Sequence, residues 1–428
     1  MRIAVLGGGL AGLAASHYLL RAGHQPVVLE SRSTVGGYLA PFEYEGLSLD
    51  PFPQIIGHRD SALCGLLAEI GILGRAVWRS VDGALLCRGM LLPSGSAAAA
   101  LRFRELGLLD RLRAALAILY ATRIRRFGLD LDTRSSREWL TRLSGSRVWE
   151  RFWRPYLRSR LGEGVESVPA YWVWERLNSE SQDRAERMGY FPGGSEEWIS
   201  ELRASLDERG AVVRCGSPVT SIESSGGGLA IEVAGGHERF DAGVSTLRLE
   251  TLSKLASPNL LEALPAPGLT YQAMQSVLVV SRAPLSRFFW TQACDLELPF
   301  QAVFETTRVI PVESTGGRHL IYLVSRCSPT SAEFRADERE VAERSLRALQ
   351  GAYREFSRAD VEFVRVFRNA SAQPLWPLGY LGRKPSPRLR SGPLYLCCEE
   401  QAYPRESSLS SQVTIAREAV RLLQSDLG

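Results

Sequence analysis

The chain has 428 residues, more than one compact core normally uses and enough for two or three domains of ~150 residues each. Hydrophobic residues make up 45% and charged residues 23%, and the net charge is only +4, which makes no electrostatic case for a nucleic-acid partner. The cysteines, at 64, 87, 215, 294, 327, 397 and 398, are scattered and odd in number. None forms a CxxC pair, so neither a disulfide framework nor a zinc site is expected; no metal is predicted, and a reduced, cytoplasmic setting is the simplest reading. The apolar stretch after Met1-Arg2 is interrupted at Gly7 to Gly9, unlike a cleavable signal, and no apolar run reaches the ~20 residues that span a bilayer.

Ile3-Ala4-Val5-Leu6 reads as a buried parallel strand, followed at once by Gly7-Gly8-Gly9-Leu10-Ala11-Gly12, a GxGxxG turn. Leu13, Ala14, Tyr18 and Leu19 then recur at helical spacing, and Gly23 ends the helix. Pro26 to Leu29 forms a second strand, which ends in the acid Glu30. Each part has a mechanical reason. Gly7 permits the tight turn, Gly9 lets backbone approach a pyrophosphate, and Gly12 lets helix pack on strand. The helix start at Leu10-Ala11 offers free N–H groups and partial positive charge to phosphates. Glu30 stands where a carboxylate accepts ribose hydroxyls. These parts together specify a dinucleotide without separating FAD from NAD.

Past Glu30, Ser31 and Arg32 lead to a second glycine pair, Gly36-Gly37, followed by Tyr38. This resembles the extended FAD motif of the amine oxidase, protoporphyrinogen oxidase and phytoene desaturase superfamily, many members of which carry arginine where this chain has Tyr38. The resemblance continues through the hairpin segment Phe42 to Asp50, the helix end Leu66 to Gly71, Tyr190 to Gly194, and Asp241 to Thr246. It places the backbone of Val219 at the adenine. Near the C-terminus the superfamily's Gly-Asp is replaced by Cys397-Cys398-Glu399-Glu400-Gln401-Ala402-Tyr403-Pro404. That segment, with Phe152 to Gly162, is similar to a bacterial protoporphyrinogen oxidase-like subgroup of FAD-dependent oxidoreductases carrying Gln-x-Tyr-Pro, and puts Gln401 among the cofactor residues.

The implied fold is α/β (α+β overall): a discontinuous Rossmann-like FAD-binding domain, a mixed-sheet substrate domain and a helical insert. The expected division gives residues 1–80, 189–255 and 371–428 to FAD, 81–188 to a helical substrate or membrane-facing region, and 256–370 to a substrate-binding sheet. Segment Leu101 to Phe127 reads as a long helix or helix pair. Its basic residues Arg102, Arg104, Arg111, Arg113, Arg123, Arg125 and Arg126 suit peripheral membrane contact, while its many leucines and isoleucines suit ordinary packing in a core.

No acid–base cluster stands out, so the catalytic candidates are single residues: His58 beside the expected flavin loop, Arg158 as an anion clamp with Arg160, and Tyr403 as a pocket wall with Trp376 and Tyr380. Cys397-Cys398 invites a covalent flavin link or a redox pair, against the plainer role of small buried hydrophobes. The implied activity is an FAD-dependent oxidase or desaturase acting on an apolar, isoprenoid, ring or amine substrate. Two alternatives stay open: a redox-neutral flavin isomerase or mutase, and a degenerate flavin-binding scaffold.

Overall fold

The computed structural model describes the chain apart from residues 55, 59, 88–89, 95–100, 102, 104, 182–186, 234, 262–268, 294, 296 and 428, and apart from the side chains at 87, 90, 92–94, 180–181 and 427. Arg102, Arg104, Cys294 and the Cys87 side chain therefore lie outside the described residues.

The first strand, β1 (Arg2–Leu6), the first helix, α1 (Leu10–Arg21), and the second strand, β2 (Gln25–Leu29), form a right-ordered nucleotide-binding unit. Ile3, Ala4 and Val5 are fully buried because a parallel strand flanks β1 on each side and helices cover the sheet. The complete parallel sheet has five strands, in the order Val212–Arg214, β2, β1, Ala242–Ser245, Leu394–Leu396. Three distant parts of the sequence thus build one layer. The C-terminal helix Leu409–Leu427 packs beside α1, and Leu13, Leu19, Val413, Ala416 and Val420 share its core.

A second, mixed sheet of seven strands runs Val361–Leu375, Thr270–Ser281, His319–Cys327, Ala302–Glu305, Trp290–Ala293, Gly83–Cys87, Met90–Ser94. Its last two strands form a hairpin from the start of the expected helical segment, joined by parallel pairing between Trp290–Ala293 and Gly83–Leu86. The remaining insert is helical around Trp139, Trp149, Trp153 and Trp172, all buried.

The basic segment departs from the packed-core reading. An α-helix covers Leu108–Leu119 and a single π turn covers Tyr120–Ile124. Its packed seam is made of the small residues Ala114, Ala117 and Ala121, with Asp110. Leu108, Leu109, Leu112, Leu116 and Leu119 face outward instead, Leu108 being 79% exposed. Helical spacing sets both faces; the small residues win the inner one because they let the neighbouring helices approach closely.

The insert is tied to the C-terminal segment by Asp132. Its carboxylate accepts the Tyr403 hydroxyl at 2.5 Å and the Leu381 N–H at 3.2 Å, and its carbonyl accepts the Gly379 N–H at 2.9 Å.

Candidate active site

A single cavity of about 2030 Å³ runs from the glycine turn after β1, under the seven-stranded sheet, to the helical insert. That is beyond the ~300–1,000 Å³ of a typical ligand site, and leaves room for a dinucleotide and a second molecule.

At its nucleotide end the walls include Gly7, Gly9, Leu10, Ala11, Glu30, Ser31, Gly36, Gly37 and Tyr38, the residues marked by the sequence. Gly7 has φ +102°, a left-handed backbone that favours glycine. Gly12 does not line the cavity; it lies beneath, where an added Cβ would sit 1.9 Å from the Gly7 carbonyl oxygen. A Cβ on Gly9 would meet nothing within 4 Å, so the backbone there borders open space. The loop after β2 closes over this turn: the Gly36 N–H donates to Gly8 O at 2.9 Å, and a Cβ on Gly37 would lie 3.4 Å from Gly9 Cα. The Glu30 carboxylate accepts the Gly8 N–H at 2.7 Å, the Arg32 N–H at 2.8 Å and the Ser31 hydroxyl at 3.2 Å. These three bonds fix its orientation and leave one of its ~four acceptor positions for a ribose hydroxyl. The cradle therefore fits the ADP half of FAD.

Two expected cofactor residues fall elsewhere. Val219 begins the antiparallel sheet of Val219–Ser225, Gly228–Val233 and Gly236–Phe240 and does not line the cavity. The loop before it comes nearer, Gly216 and Ser217 donating to the Arg32 and Glu30 carbonyls at 2.7 and 2.8 Å. Gln401 turns inward, its amide donating to Pro385 O at 3.1 Å, because the turn Glu399–Gln401 rotates it off the cavity face.

Glu399 occupies the place expected of Gln401. It follows the strand Leu394–Leu396 by three residues, faces the cavity and accepts the Ser407 hydroxyl at 2.6 Å. An acid just beyond a Rossmann strand was the available signal. Ser407 to Ser411, at the entry to the C-terminal helix, line the same end. Burial raises the Glu399 carboxyl to about 7, against the Ser407 hydrogen bond and the Arg248 charge and with help from the Glu400 charge. In the apoprotein, the fold keeps a proton that the unfolded chain releases near the ordinary glutamate value, so this group lowers stability as pH rises from there toward 7. Glu399→Gln apoprotein should accordingly be more stable than the parent above pH ~7, by on the order of 2 kcal/mol, with the difference fading below pH ~5 in thermal melts.

The vicinal cysteines line the cavity but are buried, and burial pushes the Cys397 thiol up to about 12 and Cys398 upward as well. Burial thus disfavours the thiolate form of both, in keeping with the role of small buried hydrophobes.

Of His58, Arg158 and Tyr403, His58 alone reaches the cavity, its ring edge-on to Trp78 at 5.3 Å. Arg158 lies off the cavity and pairs with the exposed Glu163 at 2.5 Å. Tyr403 is 2% exposed, bonded to Asp132 and packed on Trp376 and Tyr380, so it is a core residue. The far end of the cavity has an apolar wall of Leu85, Phe103, Ile118, Phe152, Trp153 and Tyr156. Arg160 and Arg176 stand beside it, sharing the Glu406 carboxylate at 4.0 and 2.5 Å. Among the described residues no group of three or more His, Cys, Asp or Glu is placed to hold a metal.

Known proteins share this fold. The chain is 35% identical over 80 residues to 15-cis-phytoene desaturase of Narcissus pseudonarcissus, a stretch covering 18% of this chain and 14% of that relative's length. An oxidoreductase structure from Methanosarcina mazei superposes with a TM-score of 0.77 at 18% identity, covering 98% of this chain and 100% of that one. A fatty acid isomerase from P. acnes that produces CLA superposes with a TM-score of 0.71 at 15% identity, covering 98% of both chains. Such identities speak to the fold alone. Residues 10–378 match the family model for flavin containing amine oxidoreductases, and the chain belongs to that family.

Proposed function

We propose that the protein is an FAD-dependent oxidoreductase, an oxidase or desaturase acting on an apolar small molecule of isoprenoid, ring or amine type. The observation carrying this is the continuity of one cavity from the Gly9–Glu30 cradle to the aromatic wall of the insert. In this reading residues 1–80, 189–255 and 371–428 serve the cofactor, while 81–188 and 256–370 serve the substrate.

Bound FAD supplies the hydride acceptor. The chain's own residues do the rest. Gly7 to Gly12 and the start of α1 hold the pyrophosphate, Glu30 the ribose, and Glu399 with Ser407 to Ser411 the inner end of the cofactor. Phe152, Trp153 and Tyr156 orient the substrate by shape and exclude water from it. No side chain is assigned as the acid or base; His58 remains the residue to test. The outward leucines of Leu108–Leu119 fit peripheral contact with a membrane, and no helix among the described residues is long and apolar enough to cross one.

The visible spectrum of the purified protein before and after acid precipitation tests the cofactor. We expect a flavin band that leaves with the supernatant. Flavin held in the pellet would mean a covalent link, and a protein that stays colourless after incubation with FAD would leave only the scaffold reading. The fold shared with a fatty acid isomerase supports a second, redox-neutral reading. Turnover without any electron acceptor would select it, whereas oxygen or quinone consumption selects the first.

A further inference from the structure

Gln292 lies on the strand Trp290–Ala293 of the seven-stranded sheet, where successive side chains alternate between the two faces. Ala293 packs with Leu86, Val303 and the helix Glu338–Ala352 on one face, whereas Trp290 and Gln292 line the cavity on the other. Across the sheet Gln292 pairs in register with Leu85 on one side and Ala302 on the other. Leu85 in turn packs against the aromatic cluster of the insert. The amide therefore stands among apolar side chains and is 3% exposed, at a strand position that suits valine or leucine.

Other buried amides of the chain are served from within it. Gln272, Gln373 and Gln401 donate to the carbonyls of Glu163, Pro374 and Pro385 at 3.3, 3.4 and 3.1 Å. Gln275 accepts from Arg368 at 3.1 Å, and Asn369 accepts the Ser371 N–H at 3.0 Å. Among the described residues the Gln292 amide has no such partner, and it borders the cavity. Buried polar groups are normally paired. Water can serve this one while the cavity is free. A molecule that fills the cavity displaces the water and must replace its bonds, or else strand a donor and an acceptor together.

We propose that Gln292 determines specificity by hydrogen-bonding a carbonyl or hydroxyl oxygen of the substrate, which is thus an oxygenated apolar molecule and neither a hydrocarbon nor an amine. As a statement about substrate, this rests on the flavoenzyme reading above. The amide offers N–H donors and a carbonyl acceptor without charge, which complements a neutral oxygen group. Its neighbours on the sheet face, Leu85, Ala302 and Trp290, are uncharged, so an ammonium placed there would find no carboxylate beside it on the sheet. A hydrocarbon of the same shape fares worse for a different reason: it fills the space and leaves the amide unpaired, and sites built around a hydrogen bond reject such analogues strongly.

The test titrates matched probes into the full-length, FAD-incubated protein and follows its tryptophan fluorescence, since Trp153 and Trp290 line the cavity. The probes are farnesol, farnesylamine and farnesene on one skeleton, and 2-decalone against decalin on another. The parent should bind the alcohol and the ketone at least about tenfold more tightly than the matching hydrocarbons, and farnesol more tightly than farnesylamine. Gln292→Met keeps the length of the side chain and removes the amide. It should bring the oxygenated-to-hydrocarbon ratio down to about one, with flavin absorbance and thermal midpoint unchanged. Gln292→Leu should do the same, and Gln292→Asn should keep part of the preference. A merely structural glutamine would leave that ratio where it was. Equal binding of alcohol and hydrocarbon by the parent overturns the proposal, as does a preference that survives in Gln292→Met. Preference for the amine, or no binding of any probe, overturns it as well. So does loss of folding in both the Met and Leu variants, which would make Gln292 a residue of the fold. A colourless protein that still shows the Gln292-dependent preference keeps the recognition site and defeats only the flavoenzyme reading.

Discussion

Gly9→Leu should give a folded protein that purifies without flavin. The backbone at Gly9 has φ −73° and ψ −179°, which leucine adopts without strain, and a Cβ there meets nothing within 4 Å. The new side chain enters the space where phosphates approach the backbone. Apoprotein stability should stay within ~0.5 kcal/mol of the parent, as for substitutions that disturb no packing. Added FAD should raise the parent's melting temperature through binding to the native state and leave the variant's unchanged. Gly12→Ala is the contrasting case. Its Cβ would collide with the Gly7 carbonyl oxygen at 1.9 Å, so α1 and β1 must separate. That variant should lose flavin and also ~2–4 kcal/mol of apoprotein stability in denaturant titration. Flavin retained by Gly9→Leu would mean the cradle is not where the cofactor binds.

Asp132→Ala should destabilise the protein by about 3 kcal/mol, measured by chemical denaturation. The substitution strands the buried Tyr403 hydroxyl and the Leu381 N–H, and it does so where the helical insert meets the C-terminal segment. Tyr403→Phe removes the donor as well, so its effect should be smaller, about 1 kcal/mol, with flavin content unchanged. Loss of bound flavin in Tyr403→Phe, with stability kept, would put that tyrosine back in the active site.

The nucleotide end of the site was legible because it is local. Strand, turn, helix, strand and acid lie within residues 3–30, and each carries its own chemical reason. Even the loop with Gly36-Gly37 is near in sequence. Glu399 was missed for the opposite reason: its place in the cavity wall depends on Leu394–Leu396 pairing with Ala242–Ser245, a contact that no local pattern announces. Gln401, two residues further on, was favoured by resemblance, but the turn Glu399–Gln401 points it to Pro385. Arg158 and Arg160 look alike in sequence and separate only through their partners, Glu163 in one case and the cavity with Glu406 in the other. The outward leucines of Leu108–Leu119 could not be assigned a face, because alanines and leucines both repeat at helical spacing there. Which set faces inward is decided by how closely the neighbouring helices approach.

The order of strands in the five-stranded sheet also bears on how the protein is made. β1 and β2 emerge from the ribosome first, yet β1 gains its second neighbour only when Ala242–Ser245 has been synthesised, and that strand gains its own outer neighbour only at Leu394–Leu396. For most of translation the glycine turn is present on a sheet with an open edge, without Glu399 or the serines at 407–411. Pairing across such separations is slow, and unpaired strand edges invite association with other nascent chains. The wall of the cavity formed by Glu399 and the serines at 407–411 is thereby the last to be completed in chain order.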